Sequence, residues 1–385
     1  MEEWKTYKIR DISVVNLSQY SLKEDWKEVS YLDTGSITEN RIEGIQKFNL
    51  PCDDFPSRAR RKVQNGDILF STVRPNQKHY GILKNPASNL LVSTGFAVIT
   101  VNTSIADPYY VYYYLTQGDL INYLQGVAEQ SVSAYPSLRA ADIEDLEIDL
   151  PSLAEQKRIA TVLCSIDDKI SINSRINHNL EEQARIHFDA WCSKCMDSKP
   201  IRALSSNILD YTPNNHKKVI LLNSSDVTEG RFESLPYVDN HNLKGQFKKR
   251  FKKGDILYSE IRPRNHHYAI CYFDAEDYIA STRLMVIRKN SEMIPSDALL
   301  YQYLLMPSVM EEFTSKTESR SGTFPQGNYE DLSTSEVPYS KDNSQISNIL
   351  EAIYGIIWNN LEENKRLMSL RDSLLPQLMT GQITC

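Results

Sequence analysis

The sequence predicts an α+β fold: two similar globular domains separated by two long antiparallel coiled-coil helices, with an internal pseudo-two-fold symmetry. Residues 66–75 read GDILFSTVRP and residues 254–263 read GDILYSEIRP, so seven of the ten positions are identical. Two further runs, beginning at Ile159 and Ile346, show the alternating four-three apolar spacing of long packed helices. Both repeats have an offset of about 187 to 188 residues, which is far too long for a solenoid and indicates a tandem duplication.

The composition is that of a soluble globular protein. The chain has 385 residues, of which 41% are hydrophobic, and this length suggests about two to three domains. No window approaches the roughly 18 apolar residues of a membrane span, and the amino terminus has no apolar signal segment. Six unevenly spaced cysteines do not suggest a disulfide framework. We therefore expect a cytoplasmic protein with no membrane partner.

The two helices divide the chain into four segments. A capping box of Ser152 and Glu155 opens the first helix, and Pro200 lies just beyond its end. Proline cannot continue a helix, so we expect the second to end near Pro376. The predicted segments are a first domain (1–150), a central helix (151–198), a second domain (199–341) and a carboxy-terminal helix (342–385).

Polar residues interrupt both helical seams at the same place. A buried asparagine costs stability but fixes register when a like side chain satisfies it. The alternative is two surface helices, each packed on its own domain. The first seam is predicted at Ile159, Leu163, Ile166, Ile170, Asn173, Asn177, Leu180, Ala184, His187 and Trp191, and the second at Ile346, Leu350, Ile353, Ile357, Asn360, Asn364, Leu367, Arg371, Leu374 and Leu378.

Each domain is predicted to mix strands and helices. Short buried strands are expected at 68–73 and 256–261 after a Gly-Asp turn, and further strands at 96–101 and 284–287. Tyrosine- and leucine-rich helices are expected at 109–124 and 298–313.

Sequence motifs for catalysis are missing or incomplete. No two glycines are two residues apart, which excludes the glycine-rich cofactor loop G-x-G-x-x-G. Asp107 and Pro108 are interpreted as a helix start, and Cys192 and Cys195 form a lone C-x-x-C where zinc needs four ligands. The His266-His267 pair has no companion ligands at metal spacing. We therefore predict no catalytic residue and no metal site.

Basic and amide side chains recur beside the repeated strand, although the net charge is −7. Arginine, asparagine and glutamine recognise base edges, and lysine and arginine clusters suit phosphates. The alternatives are arginines that bond the backbone and basic clusters that are solvated turns. The candidate DNA-binding residues are Arg58, Arg60, Arg61, Lys62, Arg74, Asn76, Lys78, His79 and Tyr80 in the first repeat, and Lys248, Lys249, Arg250, Arg262, Arg264, Asn265, His266, His267 and Tyr268 in the second.

Together these features resemble the DNA-specificity subunit of type I restriction-modification systems, over nearly the whole chain. The second helix lacks the Glu-Gln start of the family pattern and has Lys341-Asp342-Asn343 there. The matching motifs are Leu150-Pro151-x-x-x-Glu155-Gln156-x-x-Ile159, Ile166-Asp167, Asn177-x-x-Leu180-Glu181, Arg371-Asp372-x-Leu374-Leu375-Pro376-x-Leu378-x-x-Gly381, the Gly-Asp-Ile-Leu strands, and the segments of Pro136 and Pro325.

The resemblance implies a non-catalytic subunit with two target-recognition domains, each of which recognises one half of a bipartite site in double-stranded DNA. The helices would dock two methyltransferase subunits, and endonuclease subunits would join that complex. S-adenosylmethionine, ATP and magnesium would belong to those partners, with no cofactor bound by this chain. Two alternatives stay open: a stand-alone DNA-binding scaffold or regulator, and a nuclease fragment.

Overall fold

A computed structural model describes residues 4–21, 23–50, 52–131, 135–241, 243–320 and 325–383. The chain forms two compact units, Met1–Ser171 with Asn364–Cys385, and Ile172–Glu363. We call them unit 1 and unit 2. Each combines two four-stranded sheets with helices, and each contains half of both long helices. The predicted α+β class with two similar domains and long helices is confirmed. The predicted boundaries at 150, 198 and 341 stay predictions.

Unit 1 is built on two four-stranded sheets. In each sheet, at least one pair of neighbouring strands comes from distant parts of the chain. In spatial order the first sheet contains Ser13–Val15, Phe96–Val101, Ile68–Ser71 and Tyr80–Ile82, and the second contains Gln46–Asn49, Glu28–Leu32, Leu90–Ser93 and Ala59–Lys62. Two short pairs complete the unit, Lys5–Lys8 with Glu147–Leu150 and Ile37–Thr38 with Arg41–Ile42.

The strand Ile68–Ser71 is buried along its whole length, and we call it the central strand of unit 1. Its side chains alternate between two apolar clusters, as period-two geometry requires. Ile68 and Phe70 pack against the helices, and Leu69 packs against the second sheet. The unit is therefore layered as helices, sheet and sheet. The strand was predicted to reach residue 73, but it ends at Ser71.

The predicted helix at 109–124 is wrong as a single element. The structure has two helices, Pro108–Leu115 and Gly118–Glu129, because the chain takes an extended conformation at Gln117. Asp107 caps the first of them, with its carboxylate accepting the backbone N–H groups of Tyr109 and Tyr110. The interpretation of Asp107 as a helix start is confirmed. Short helices at Ile9–Ile12 and Ala140–Glu144 complete the layer.

Unit 2 repeats this architecture strand for strand. Its central strand is Ile256–Ser259, with Ile256 and Tyr258 on the helix side and Leu257 on the sheet side. The sheets contain, in spatial order, Ser205–Asn207, Leu284–Lys289, Ile256–Ser259 and Tyr268–Ile270, and then Val238–Asp239, Lys218–Leu222, Tyr278–Ser281 and Phe247–Lys249. The short pairs are Asp197–Pro200 with Glu336–Tyr339 and Val227–Thr228 with Arg231–Phe232.

The helices of unit 2 follow the same plan. The predicted helix at 298–313 is also two helices, Asp297–Leu304 and Pro307–Glu318, since the chain is extended at Met306 before the proline. Short helices lie at Ile201–Leu204 and Tyr329–Ser333. Within the described residues, each helix of the chain is too short or too polar to cross a bilayer.

The two long helices are Leu153–Cys192 and Ser344–Met379. The first has 40 residues, or roughly 60 Å of helix. Ser152 caps it by accepting the backbone N–H of Glu155, so the predicted capping site is confirmed. The predicted end of the second helix near Pro376 is wrong: Pro376 lies inside it. Three residues follow the proline, so only one hydrogen bond of the last turn is lost.

The helices run antiparallel in each unit. In unit 1, Ile170 accepts a hydrogen bond from Asn364 (3.5 Å), and Asp167 pairs with Arg371 (2.9 Å). In unit 2, Asn173 donates to Glu363 (2.6 Å). Rising numbers on one helix meet falling numbers on the other, as predicted. The alternative of helices packed only on their own domains is therefore wrong.

The seam asparagines are satisfied in different ways. Asn360 donates to Asn177 (2.8 Å), so these two seam residues form a pair of like side chains. Asn177 also donates to the carbonyl of Ile357 (3.2 Å). The predicted seam position His187 is wrong: His187 is exposed and Phe188 is buried, since a step of four follows Ala184 where three was expected.

Replacing Asn177 with leucine is expected to destabilise unit 2 by about 1–3 kcal/mol, because the Ile357 carbonyl and the Asn360 amide lose their partner in a buried seam. Urea unfolding followed by circular dichroism measures the change. Asn179→Leu on the exposed face of the same helix is the matched control and should stay within about 0.5 kcal/mol. Equal effects of both changes would contradict the assignment.

Candidate nucleic-acid interface

A tight turn of the same backbone shape follows the central strand in each unit, at residues 74–78 and 262–266. We call these the strand-end turns. Arg74 opens the first with a φ of 48°, and its last residue has a φ of 57°. Arg262 opens the second with the same φ of 48°, and its last residue has 54°. Non-glycine residues adopt this left-handed region only when their surroundings hold them there.

Hydrogen bonds hold each turn at its entrance. The hydroxyl of Ser71 donates to the carbonyl of Val73 (3.0 Å), and that of Ser259 to Ile261 (2.9 Å). The segment around Pro136 packs alongside, and its carbonyl accepts the backbone N–H of Arg74 (3.1 Å). The corresponding segment after Pro325 bridges Ile261 through Gln326. The turns are thus rigid parts of the scaffold.

One predicted histidine directly follows each turn, and both histidines support the backbone. Nδ1 of His79 lies 2.7 Å from the carbonyl oxygen of Ile37, and Nδ1 of His267 lies 3.0 Å from that of Val227. Each ring also meets a threonine hydroxyl, at 3.3 Å and 3.0 Å respectively. These contacts fix both rings in the same orientation, so their first role is structural.

The last residue of each turn is paired with an acid. Lys78 Nζ lies 2.7 Å from Glu39, and His266 Nδ1 lies 3.2 Å from Glu229. Both acids also have positive φ values, 45° and 46°. The duplicated fold therefore keeps the pairing and changes the basic partner.

The two predicted tyrosines belong to the core. Tyr80 is 6% exposed and stacks on Phe70, with ring centroids 6.1 Å apart. Tyr268 stacks on Tyr258 at 5.8 Å and is partly buried. Burial raises the pKa of Tyr268 to about 12. Burial leaves Tyr80 little side-chain surface for the predicted DNA contact.

Most of the basic cluster residues lie on the strands Ala59–Lys62 and Phe247–Lys249, at the margin of the second sheet in each unit, so the alternative of a solvated turn does not describe them. Arg58 lies in the turn before the first of these strands, and Arg250 follows the second. Arg58 and Lys248 are exposed. Arg60 lies over the ring of Phe55 at 5.7 Å. Lys62 pairs with Glu24 and lies 5.3 Å from the Trp26 ring, and Arg250 donates to the carbonyl of Glu276 (2.7 Å).

Lys249 and Arg61 occupy the same position in the duplicated strand, and both point inward. Lys249 is 3% exposed, donates to the carbonyl of Leu284 (2.7 Å) and pairs with Glu260 (3.5 Å). Burial lowers the pKa of the Lys249 ammonium, and Glu260 acts against that shift. This burial removes Lys249 from direct contact with DNA.

Arg61 lacks the acid that its counterpart has. Thr72 stands where unit 2 has Glu260, and Arg61 donates only through Nη2, to the carbonyl of Thr94 (3.3 Å). Nε and Nη1 of Arg61 are buried without a partner among the described residues. Burial also lowers the pKa of this guanidinium. Arg61 is therefore partly withdrawn from the surface as well.

Exposed side chains remain on the outer side of both turns. Arg74 lies over the ring of Tyr135 at 5.2 Å, and Tyr135 is 61% exposed. The backbone N–H of Asn76 donates to Gln125 (3.2 Å), and its side chain is exposed. In unit 2 the exposed members are Arg262, Arg264 and Asn265.

Sequence reasoning missed two residues at this surface. Tyr135 directly precedes Pro136, whose counterpart Pro325 was recognised, so its position in the repeat was the available signal. Glu318 pairs with Arg264 through two hydrogen bonds, and no sequence signal marked it because the two residues are 54 positions apart.

The arrangement combines cations and amides on rigid turns, which suits binding to phosphates and base edges. The described residues contain no group of three or more histidine, cysteine, aspartate or glutamate side chains placed to hold a metal ion. The exposed set at the turns is Arg74, Asn76, Lys78, Arg262, Arg264 and Asn265.

Residues 1–182 match the type I restriction modification DNA specificity domain. The chain is 30% identical over 210 residues to the type I restriction enzyme HindI specificity subunit of Haemophilus influenzae. The matched region covers 54% of this chain and 44% of that protein. It is 26% identical over 196 residues to the MjaIX specificity subunit of Methanocaldococcus jannaschii, covering 49% and 44% respectively.

The chain thus spans less than half the length of these curated relatives. A crystal structure of a type I restriction-modification S subunit from M. genitalium superposes with a TM-score of 0.57 at 13% identity, covering 98% of this chain and 96% of that one. That likeness extends over both units and concerns the fold. The resemblance drawn from the sequence motifs is confirmed.

Glu260→Gln is expected to destabilise unit 2 by about 3 kcal/mol, because it leaves the buried Lys249 ammonium without its counter-charge. Thermal unfolding of the variant measures the loss. Glu233→Gln, at an exposed position of the same unit, is the control and should have little effect. A Glu260→Gln variant as stable as the unchanged chain would show that the ion pair is dispensable.

Proposed function

We propose that this chain, whose residues 1–182 belong to the type I restriction modification DNA specificity domain family, is the DNA-specificity subunit of such a system. Unit 1 and unit 2 would each recognise one half of a bipartite target in double-stranded DNA. The chain would supply recognition, and catalysis would reside in partner subunits.

One observation carries this proposal: the strand-end turn occurs twice with the same backbone and different outward side chains. Both turns begin with an arginine at a φ of 48° and a proline. At the following position unit 1 has Asn76 and unit 2 has Arg264. Asparagine pairs with adenine edges and arginine with guanine edges. A common scaffold with different side chains is what two different half-sites require.

The proposal extends to partners and cofactors. Methyltransferase subunits, two by the resemblance, would dock on the long helices, and endonuclease subunits would join the complex. The helices offer exposed apolar side chains at Ile172, Ile176 and Ile356. S-adenosylmethionine, ATP and magnesium would be bound by those partners. Methylation of a base in a duplex requires flipping it out, so this chain would hold the DNA for a partner's active site.

A stand-alone DNA-binding scaffold is the second candidate. The strand-end turns would bind DNA in such a scaffold as well. The two candidates differ in whether methyltransferase subunits dock on the long helices. Co-purification with methyltransferase subunits supports a specificity subunit, and a chain that binds DNA specifically with no such partner supports the scaffold. A nuclease fragment would instead cleave DNA by itself in the presence of a divalent metal.

Arg74→Ala tests the division of labour between the units. If Arg74 contacts a base, its loss should weaken binding by about 1–3 kcal/mol and relax preference in one half-site only. Selection of bound duplexes from a randomised pool, with the complex assembled, measures this. Uniform weakening across all sequences would instead assign the side chain to phosphate.

Arg10→Ala provides the control, since it removes the same charge from an exposed position on the helix Ile9–Ile12 of unit 1. It should leave both half-sites unchanged. Equal relaxation of both half-sites by Arg74→Ala would reject the assignment of one unit to each half.

A further inference from the structure

The guanidinium of Arg264 is held on one side by a carboxylate. Nε of Arg264 donates to Oε1 of Glu318 at 2.8 Å, and Nη2 donates to Oε2 at 3.0 Å. The two parallel bonds fix the plane of the guanidinium as well as its position. The side chains are 61% and 47% exposed, so the pair lies at the surface of unit 2.

Stability does not account for this pair. Exposed ion pairs contribute little to folding, with a median of about 0–1 kcal/mol. The two bonds to Glu318 occupy the edge of the guanidinium that Nε and Nη2 form. The other edge, formed by Nη1 and the second hydrogen of Nη2, faces away from Glu318. Among the described residues the structure gives Nη1 no acceptor.

Both members of the pair stand on fixed backbone. Arg264 lies within the short helix Pro263–Asn265, which two residues of positive φ flank. Glu318 is the last residue of the helix Pro307–Glu318, whose Phe313 is buried in the unit 2 core. A contact residue supported from rigid elements in this way loses little freedom when a ligand binds.

Unit 1 has a related arrangement at the same place, in which the acid acts through an intermediate glutamine. Asn76 stands at the position of Arg264, and Glu129 ends the helix Gly118–Glu129 as Glu318 ends its counterpart. There Glu129 accepts from Gln125 (2.8 Å), and Gln125 in turn accepts the backbone N–H of Asn76 (3.2 Å). In both units the acid at the helix end thus supports the second residue of the turn helix.

We propose that Glu318 is a positioning residue that presents the free edge of Arg264 to a guanine in the half-site recognised by unit 2. Guanine O6 and N7 are a pair of acceptors that match the two N–H groups of that edge. The inference rests on the proposed function, and it specifies guanine as a base that unit 2 recognises. The competing account is that Glu318 only neutralises Arg264 and so weakens its attraction to phosphate.

Glu318→Gln tests this in the chain assembled with its methyltransferase subunits. The substrates are duplexes that carry each of the four bases at every specified position of the target, and the readout is methylation rate and equilibrium binding. The expected result is a loss of about tenfold in preference for guanine at one position of one half-site. Glu312→Gln, on the same helix and paired with Lys316 instead of an arginine, is the control and should change no preference.

Arg264→Lys separates shape from charge. It keeps the positive charge and removes the bidentate edge, so it should relax the same position as Glu318→Gln. If Glu318→Gln instead strengthens binding to every duplex equally and leaves base preference intact, the acid only screens Arg264 and the inference is overturned. A guanine preference that survives Arg264→Lys would overturn it as well.

The same duplex set separates failure of this inference from failure of the proposed function. A complex that keeps a bipartite preference and is indifferent to Glu318→Gln rejects only the role of Glu318. A complex with no sequence preference in either half rejects the proposed function, and this inference falls with it.

Discussion

Burial of the central strand on both faces is the constraint on which each unit depends. Ile68 and Leu69 are fully buried on opposite sides, as are Ile256 and Leu257. Such a strand cannot shift by one residue without exchanging its two apolar faces. The turn that follows therefore begins at a fixed point, and its first residue is held at a φ of 48° in both units. Stability of the core and placement of the exposed side chains of the turns thus have the same origin.

The basic residues of the two repeats divide into a supporting set and an outward set. Lys249 and His267 hold carbonyl oxygens inside unit 2, and His79 does so in unit 1. Arg74 and Arg264 lie outside, each beside a side chain that orients it. A duplicated scaffold can change the outward set without disturbing the core, because the turn backbone does not depend on it. Under the proposed function, this separation would let one fold serve two different half-sites.

The sequence predicted the parts that follow from periodicity and repetition. The duplicated strand and the capped long helix rest on local patterns and are confirmed. The sequence also placed asparagines in both helical seams, but it did not show that Asn177 would pair with Asn360. The sequence pattern could not show which basic side chains point into the core. Lys249 points inward because of how its strand pairs in the sheet and because Glu260 supplies a counter-charge. Nor could the pattern reveal Glu318, which reaches the turn through tertiary packing. Pro376 shows the limit of a local rule, because a helix tolerates proline when little helix remains beyond it.

Under the proposed function, the two strand-end turns are the parts of the chain that contact DNA. Amide hydrogen exchange of the assembled complex, with a target duplex and with an unrelated duplex of equal length, tests it most directly. We expect slower exchange in the peptides covering 74–78 and 262–266 with the target duplex, and much less slowing with the unrelated one. Protection confined to the long helices, with both turns exchanging as in the DNA-free complex, would contradict it.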